Sequence, residues 1–160
     1  EAGRWPFDVD FVLDGVVGGP PEDRLIRIVQ RPAFDWFGLF EFPDGTPTPL
    51  NLTGYDTLEF DIWTPNVTGL TVRFRDYGAN ATWDAGQAGA NTDGERAQSF
   101  GPDEGLEPGQ WSSITVDLNR IFVGGDSRNL GQIVMLVNAR SEPYRNTYFY
   151  LANLRFTRAQ

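Results

Sequence analysis

The chain has no cysteine and no histidine among its 160 residues, and all 13 of its basic side chains are arginine, so lysine is missing too. Without cysteine there is no disulfide framework and no thiol from which to read a redox compartment. Without histidine and cysteine, imidazole-based triads and thiol nucleophiles are excluded, and zinc and copper lose their usual ligands. Without lysine there is no Schiff base, and no phosphate-cradling glycine loop closed by a lysine. No apolar run approaches the roughly 18 residues that a membrane span needs. A net charge of −9 opposes nucleic acid and anionic membrane surfaces, whose phosphates call for basic partners.

What is present is punctuation and aromatic side chains. Eighteen glycines and 11 prolines supply many turns, and aromatic residues, at 14%, gather in short extended runs. A length of 160 residues fits one domain over 1–160 with a two-layer core. Two runs alternate strictly: Leu58, Phe60 and Ile62, then Leu70, Val72 and Phe74, against Glu59, Asp61, Trp63, Thr71, Arg73 and Arg75. Period two predicts strands with one buried face, and the turn residues between them predict a hairpin. In such a hairpin Arg73 and Arg75 share a face with Glu59 and Asp61. Cross-strand ion pairs are one account of these four residues, and contact with a polar ligand is the other.

Further extended runs occupy 5–15, 25–29, 34–42, 96–100 and 111–118. Residues 132–137 are apolar on both faces and predict a central strand. Residues 119–122 predict one helical turn. Between Leu151 and Leu154 the apolar parity changes, which predicts a β-bulge at Ala152 and Asn153. The longest irregular stretch, 78–94, is small and polar except for Trp83, and loops of that length are commonly functional. About nine strands and no long helix predict an all-β antiparallel sandwich, with a jelly roll as its form.

With the strands in place, the pattern resembles a carbohydrate-binding module of the galactose-binding-like β-jelly-roll type, as appended to secreted bacterial glycoside hydrolases. The residues that carry the resemblance are 55–66 (YDTLEFDIWTPN), 72–80 (VRFRDYGAN), 109–118 (GQWSSITVDL) and 148–156 (YFYLANLRF). It implies a non-catalytic domain that binds a plant, algal or microbial polysaccharide. A covalently linked catalytic domain and secretion from a bacterium are implied with it. Relatives read Asp-Asn in the closing strand, where the Asp helps to hold a structural calcium ion. Here that position is Ala152.

Sugar recognition needs flat aromatic surfaces for the apolar face of a pyranose and planar polar groups for its hydroxyls. Trp83 stands in a polar loop with no apolar neighbours in sequence, Trp36 precedes Gly38 in an aromatic run, and Trp63 lies beside Asp61 on an outward face. These three, with Arg73, Arg75, Asp61 and Tyr144, are the candidate ligand-binding residues. Packing is the ordinary account of each tryptophan, and most strongly of Trp5 and Trp111. The candidate cofactor is one structural calcium ion, with Asp8, Asp10 and Asp14 as its ligands. Two other functions fit the same residues. One is a structural or protein-interaction sandwich. The other is a small carboxylate-dependent glycosidase or lyase using Glu59 and Asp61, roughly 6.5 to 7 Å apart by strand rise.

Overall fold

The structure, a computed structural model, describes residues 7–12, 25–30, 36–41, 50–77, 94–123, 128–139 and 148–158; side chains are described in 50–77, 95–123, 128–136 and 149–158. Nine strands occur among the described residues: β1 (Phe7–Val12), β2 (Leu25–Gln30), β3 (Trp36–Glu41), β4 (Thr57–Trp63), β5 (Val67–Asp76), β6 (Gly94–Phe100), β7 (Trp111–Asp117), β8 (Leu130–Ala139) and β9 (Tyr148–Thr157). Side chains are described on six of them, β4 to β9. A single helical turn, α1 (Leu118–Ile121), follows β7, where the sequence predicts one.

The strands form two antiparallel sheets, a five-stranded one in the order β1-β2-β9-β4-β7 and a four-stranded one in the order β3-β8-β5-β6. Only β1–β2 and β5–β6 join chain neighbours within a sheet; every other connection crosses to the opposite sheet. The all-β sandwich expected from the alternation is therefore the observed architecture. β8 is central in its sheet, with Ile133 and Met135 fully buried and Val134 and Leu136 on the outer side.

The predicted hairpin of β4 and β5 is not formed. β4 pairs with β7 and β9, and β5 pairs with β6 and β8 in the other sheet. The two strands lie face to face across the core instead of side by side. Both arrangements require one apolar face on each strand, so periodicity cannot tell them apart. Thr64, fully buried, makes the crossing. Its hydroxyl accepts from the Val67 amide at 3.2 Å and its carbonyl from the Gly109 amide at 2.7 Å. These bonds pair the Val67 and Gly109 amides and the Thr64 carbonyl at the corner.

The inward faces supply Leu58, Phe60, Ile62, Ile114, Val116, Phe149 and Leu151 from one sheet, and Leu70, Val72, Phe74, Phe100, Ile133 and Met135 from the other. Leu106, Leu118 and Ile121 join the same cluster. Each of the large side chains that is fully withdrawn from water contributes about 1.5–3 kcal/mol.

Two of the four register shifts among the described strands bear on the outer faces. On β9 the register shifts so that Asn153 and Leu154 stand against Phe60, and Asn153 takes a positive φ of 54°. Phe149 and Leu151 before the bulge are buried, and Leu154 and Phe156 after it pack on the core, as the change of parity predicts. On β8, Gly131 is the extra residue between the Arg75–Gln132 and Asp76–Leu130 pairs. The Tyr77 ring occupies the space that a Cβ at Gly131 would need.

Candidate functional site

The outer face of the four-stranded sheet is laid out in rows by its register. Arg75 stands between Gln132 and Glu95, Arg73 between Val134 and Ala97, and Thr71 between Leu136 and Ser99. On β3, Trp36 is opposite Leu136 and Glu41 is opposite Gln132. Glu95 holds both arginines: one carboxylate oxygen is 3.1 Å from Arg73 Nη1, and the other accepts from Arg75 Nε at 2.8 Å. A guanidinium fork fixed in this way is an oriented array of donors on a shared carboxylate anchor. A cavity of about 110 Å³ lies over Arg73, Arg75, Gln132, Val134 and Leu136. Its floor is apolar and its wall is cationic.

The outer face of the five-stranded sheet carries a different set. Trp63 stands between Trp111 on β7 and Tyr150 on β9, and Asp61 between Ser113 and Ala152. The Trp63 and Tyr150 rings meet edge to face, 5.8 Å apart at 61°. Asp61 accepts from Ser113 Oγ and from Asn153 Nδ2, each at 2.6 Å. Glu59 accepts from Arg155 Nε at 2.8 Å and from Thr57 Oγ1 at 3.1 Å. The Arg155 hydrogen bond, followed by that from Thr57, holds the Glu59 carboxyl below its ordinary range.

The structure divides the candidate ligand residues. Arg73 and Arg75, with the backbone position of Trp36, belong to the four-stranded face, whereas Asp61 and Trp63 belong to the opposite side of the sandwich. The expected pairing of Arg73 and Arg75 with Glu59 and Asp61 does not occur. Glu95 and Arg155 take those roles from strands the hairpin reading did not include. Trp83 and Tyr144 lie outside the described residues, as does Asp14. The segment with Trp83 joins β5 to β6, so it leaves and returns at the end of the four-stranded sheet marked by Asp76 and Gly94. Asp8 and Asp10 stand two apart on β1, an edge strand of the five-stranded sheet. Trp111, read from sequence as packing, is partly exposed in the row with Trp63.

The resemblance implies a calcium ligand at the closing-strand position that Ala152 occupies. Ala152 stands opposite Asp61, whose two oxygens already accept from Ser113 and Asn153. One engaged carboxylate is a poor match to the six to eight oxygens calcium takes. Among the described residues no group of three or more carboxylate, histidine or cysteine side chains is placed to hold a metal.

The sequence pattern alone does not mark Gln132, Glu95, Tyr150, Ser113, Asn153 or Arg155 as ligand-binding residues. For Asn153 a signal existed, since the bulge that turns it outward is readable from parity. For the others the signal would have been the strand pairing itself.

No family model and no curated protein matches the chain. Solved structures do. A family 30 carbohydrate-binding module of a cellulosomal cellulase of Clostridium thermocellum is 13% identical with a TM-score of 0.58, over 95% of this chain and 82% of that one. A family 11 carbohydrate-binding module from Clostridium thermocellum, in complex with a β-1,3-1,4-mixed-linked tetrasaccharide, is 13% identical with a TM-score of 0.56, over 96% and 83%. An exo-β-agarase is 12% identical with a TM-score of 0.59, and the match takes in 97% of this chain but 23% of that one. At these identities the likeness is one of fold.

Proposed function

We propose that this chain is a non-catalytic carbohydrate-binding module, that the outer face of its four-stranded sheet takes the glycan, and that it directs a covalently linked, secreted bacterial glycoside hydrolase to a polysaccharide. The observation that carries the reading is the cavity over Val134 and Leu136, walled by two arginines that Glu95 holds in place. An apolar floor suits the C–H face of a pyranose, and oriented guanidinium groups suit its hydroxyls. Trp36 at the neighbouring register and Trp83 on the segment joining β5 to β6 extend the face in this reading, as Tyr144 does from the segment joining β8 to β9. The fold supports it too, being shared with modules named as carbohydrate-binding. The match to less than a quarter of the agarase chain supports an appended role.

The non-catalytic part of the reading is supported by the fold neighbours that are named as binding modules. A structural calcium at Asp8, Asp10 and Asp14 is the remaining part of the proposal. Chelation lowers the thermal midpoint if it is correct, and leaves it unchanged if it is wrong.

Affinity electrophoresis through gels containing mixed-linkage glucan, xylan, mannan or alginate tests the function. Retardation by at least one polysaccharide is expected, with loss of about tenfold or more in affinity in a folded Arg73→Ala/Arg75→Ala variant. A folded protein that none of these polysaccharides retards refutes the reading.

A further inference from the structure

The five-stranded sheet carries a second set of groups that the reading above leaves unused. Its outer face begins with the row Trp111, Trp63 and Tyr150, supplied by three adjacent strands. Strands in a sheet are about 4.8 Å apart, so this row runs for about 10 Å, on the order of one sugar ring with its linkage. The edge-to-face meeting of Trp63 with Tyr150 gives the row two ring planes inclined to each other.

One step along the strands Asp61 lies between Ser113 and Ala152, with the bulged Asn153 reaching back to Asp61 through its side chain, and one step further lie Thr115, Glu59 and Arg155. Apart from Ala152, these side chains surround a cavity of about 350 Å³, within the range of small-ligand sites. Asp61 is fixed from both sides by Ser113 and Asn153. A carboxylate has about four lone-pair positions, so each Asp61 oxygen keeps acceptor capacity after those two bonds. Asn153 reaches it because the bulge puts this residue at φ 54°, a conformation few side chains other than Asn and Asp adopt.

The charges select among ligands. Two carboxylates and one guanidinium line this cavity, a surplus of one negative charge. Hydroxyl donors are favoured there, and carboxylate, sulfate or phosphate groups are opposed. The combination of ring faces with rigid hydroxyl acceptors therefore specifies an uncharged polyol with an apolar side.

We propose that the outer face of the five-stranded sheet is a second glycan site, on the side of the sandwich opposite Arg73 and Arg75, which binds a neutral hexopyranose or pentopyranose unit with its hydroxyl edge on Asp61 and Asn153 and its C–H face on the Trp63–Tyr150 pair. A chain with sites on both faces bridges two polysaccharide strands, and the two engagements reinforce each other on an insoluble surface.

The test is a titration of isotope-labelled protein, followed through the Trp63 indole N–H and the Asn153 side-chain amide signals. It is done in the Arg73→Ala/Arg75→Ala variant with mixed-linkage glucan tetrasaccharide, xylotetraose, mannotetraose and, as the charged control, a guluronate oligomer. Saturable shifts with at least one neutral oligosaccharide and none with the guluronate are expected. Asn153→Gly keeps the positive φ without strain and removes the amide; it is expected to weaken binding about fivefold or more while the protein stays folded. The proposal is overturned if no neutral oligosaccharide moves the Trp63 signal, or if folded Asn153→Gly binds as well as its parent. Binding that vanishes in the double arginine variant overturns the second site and leaves the first standing. Binding untouched by that variant and lost on Asn153→Gly does the reverse.

Discussion

The two outer faces of the sandwich are built by the same alternation and end with opposite chemistry. On the four-stranded face two arginines share one glutamate, and on the five-stranded face two carboxylates accompany one arginine. Each face settles its ion pairs between strands of its own sheet, Arg73 and Arg75 with Glu95 and Arg155 with Glu59. The lesson is that a charge on an outward strand position is interpretable only once its sheet is known. Alternation tells that a residue points outward, and says nothing about which outside.

Four groups of variants act on this contrast. The largest effect belongs to what the faces share: Phe60→Ala and Phe74→Ala each remove a fully buried ring from opposite walls of one core. Each is expected to cost about 3–5 kcal/mol in urea unfolding, and either one lowers the stability of both faces together. If one of them left the global midpoint unchanged, the two sheets would not share a single cooperative core.

Gly131→Ala acts next, and on one side only. Its new methyl group meets the Tyr77 ring, and the bulge that seats Gln132 opposite Arg75 must shift. Overpacking of this kind costs about 1–3 kcal/mol. The accompanying change in ligand affinity is expected on the four-stranded face, and the Asn153 amide signal is expected to stay where it is. Asn153→Ala is the counterpart on the other sheet. It forces a methyl-bearing residue into a left-handed conformation, at about 1–2 kcal/mol, whereas Asn153→Gly is expected to be milder. Equal losses for the two variants would assign the whole effect to the lost Asp61 bond.

The smallest effect is one of pH. Because the Glu59 carboxyl is depressed by Arg155 and Thr57, the pair stabilises the fold above the ordinary carboxylate pKa and loses that contribution as pH falls through the lower, folded value. Thermal unfolding from neutral to acid pH should fall less steeply in Glu59→Gln than in the parent. Arg155 is largely exposed, so salt should shrink this difference. An identical acid slope in both proteins would show that the Glu59 contacts do not persist in solution.

Much of this architecture is legible in the sequence, for physical reasons that also mark where legibility ends. The parity change between Leu151 and Leu154 announces the bulge because a buried face tolerates no slip. The two-sided apolar run at 132–137 announces a central strand, and the outer pair Val134 and Leu136 becomes the floor of a cavity. Pairing is what the pattern withholds. β4 and β5 satisfy the same alternation whether they are neighbours in a sheet or partners across a core, and reading them as neighbours sent Arg73 and Arg75 to the wrong carboxylates. The same misplacement put Asp61 and Trp63 with the arginines, and hid the alignment of Trp63 with Trp111 and Tyr150. The structure makes the change of sheet in three residues, where the Thr64 side chain accepts from the amide of Val67 as one strand ends and the next starts.

The strand order of the five-stranded sheet bears on how the protein is made. β9 follows the other eight strands in the chain, yet it lies in the middle of the sheet, between β2 and β4. The β1–β2 pair and the β4–β7 pair can form before β9 is made, but in this sheet the two are joined only through β9. Its pairing joins Thr57 to Thr157 across 100 residues. Closure of the sheet, with its long loop and its bulge, is thus the step expected to limit the folding rate. Until then both edges of the gap present unpaired backbone to neighbouring chains.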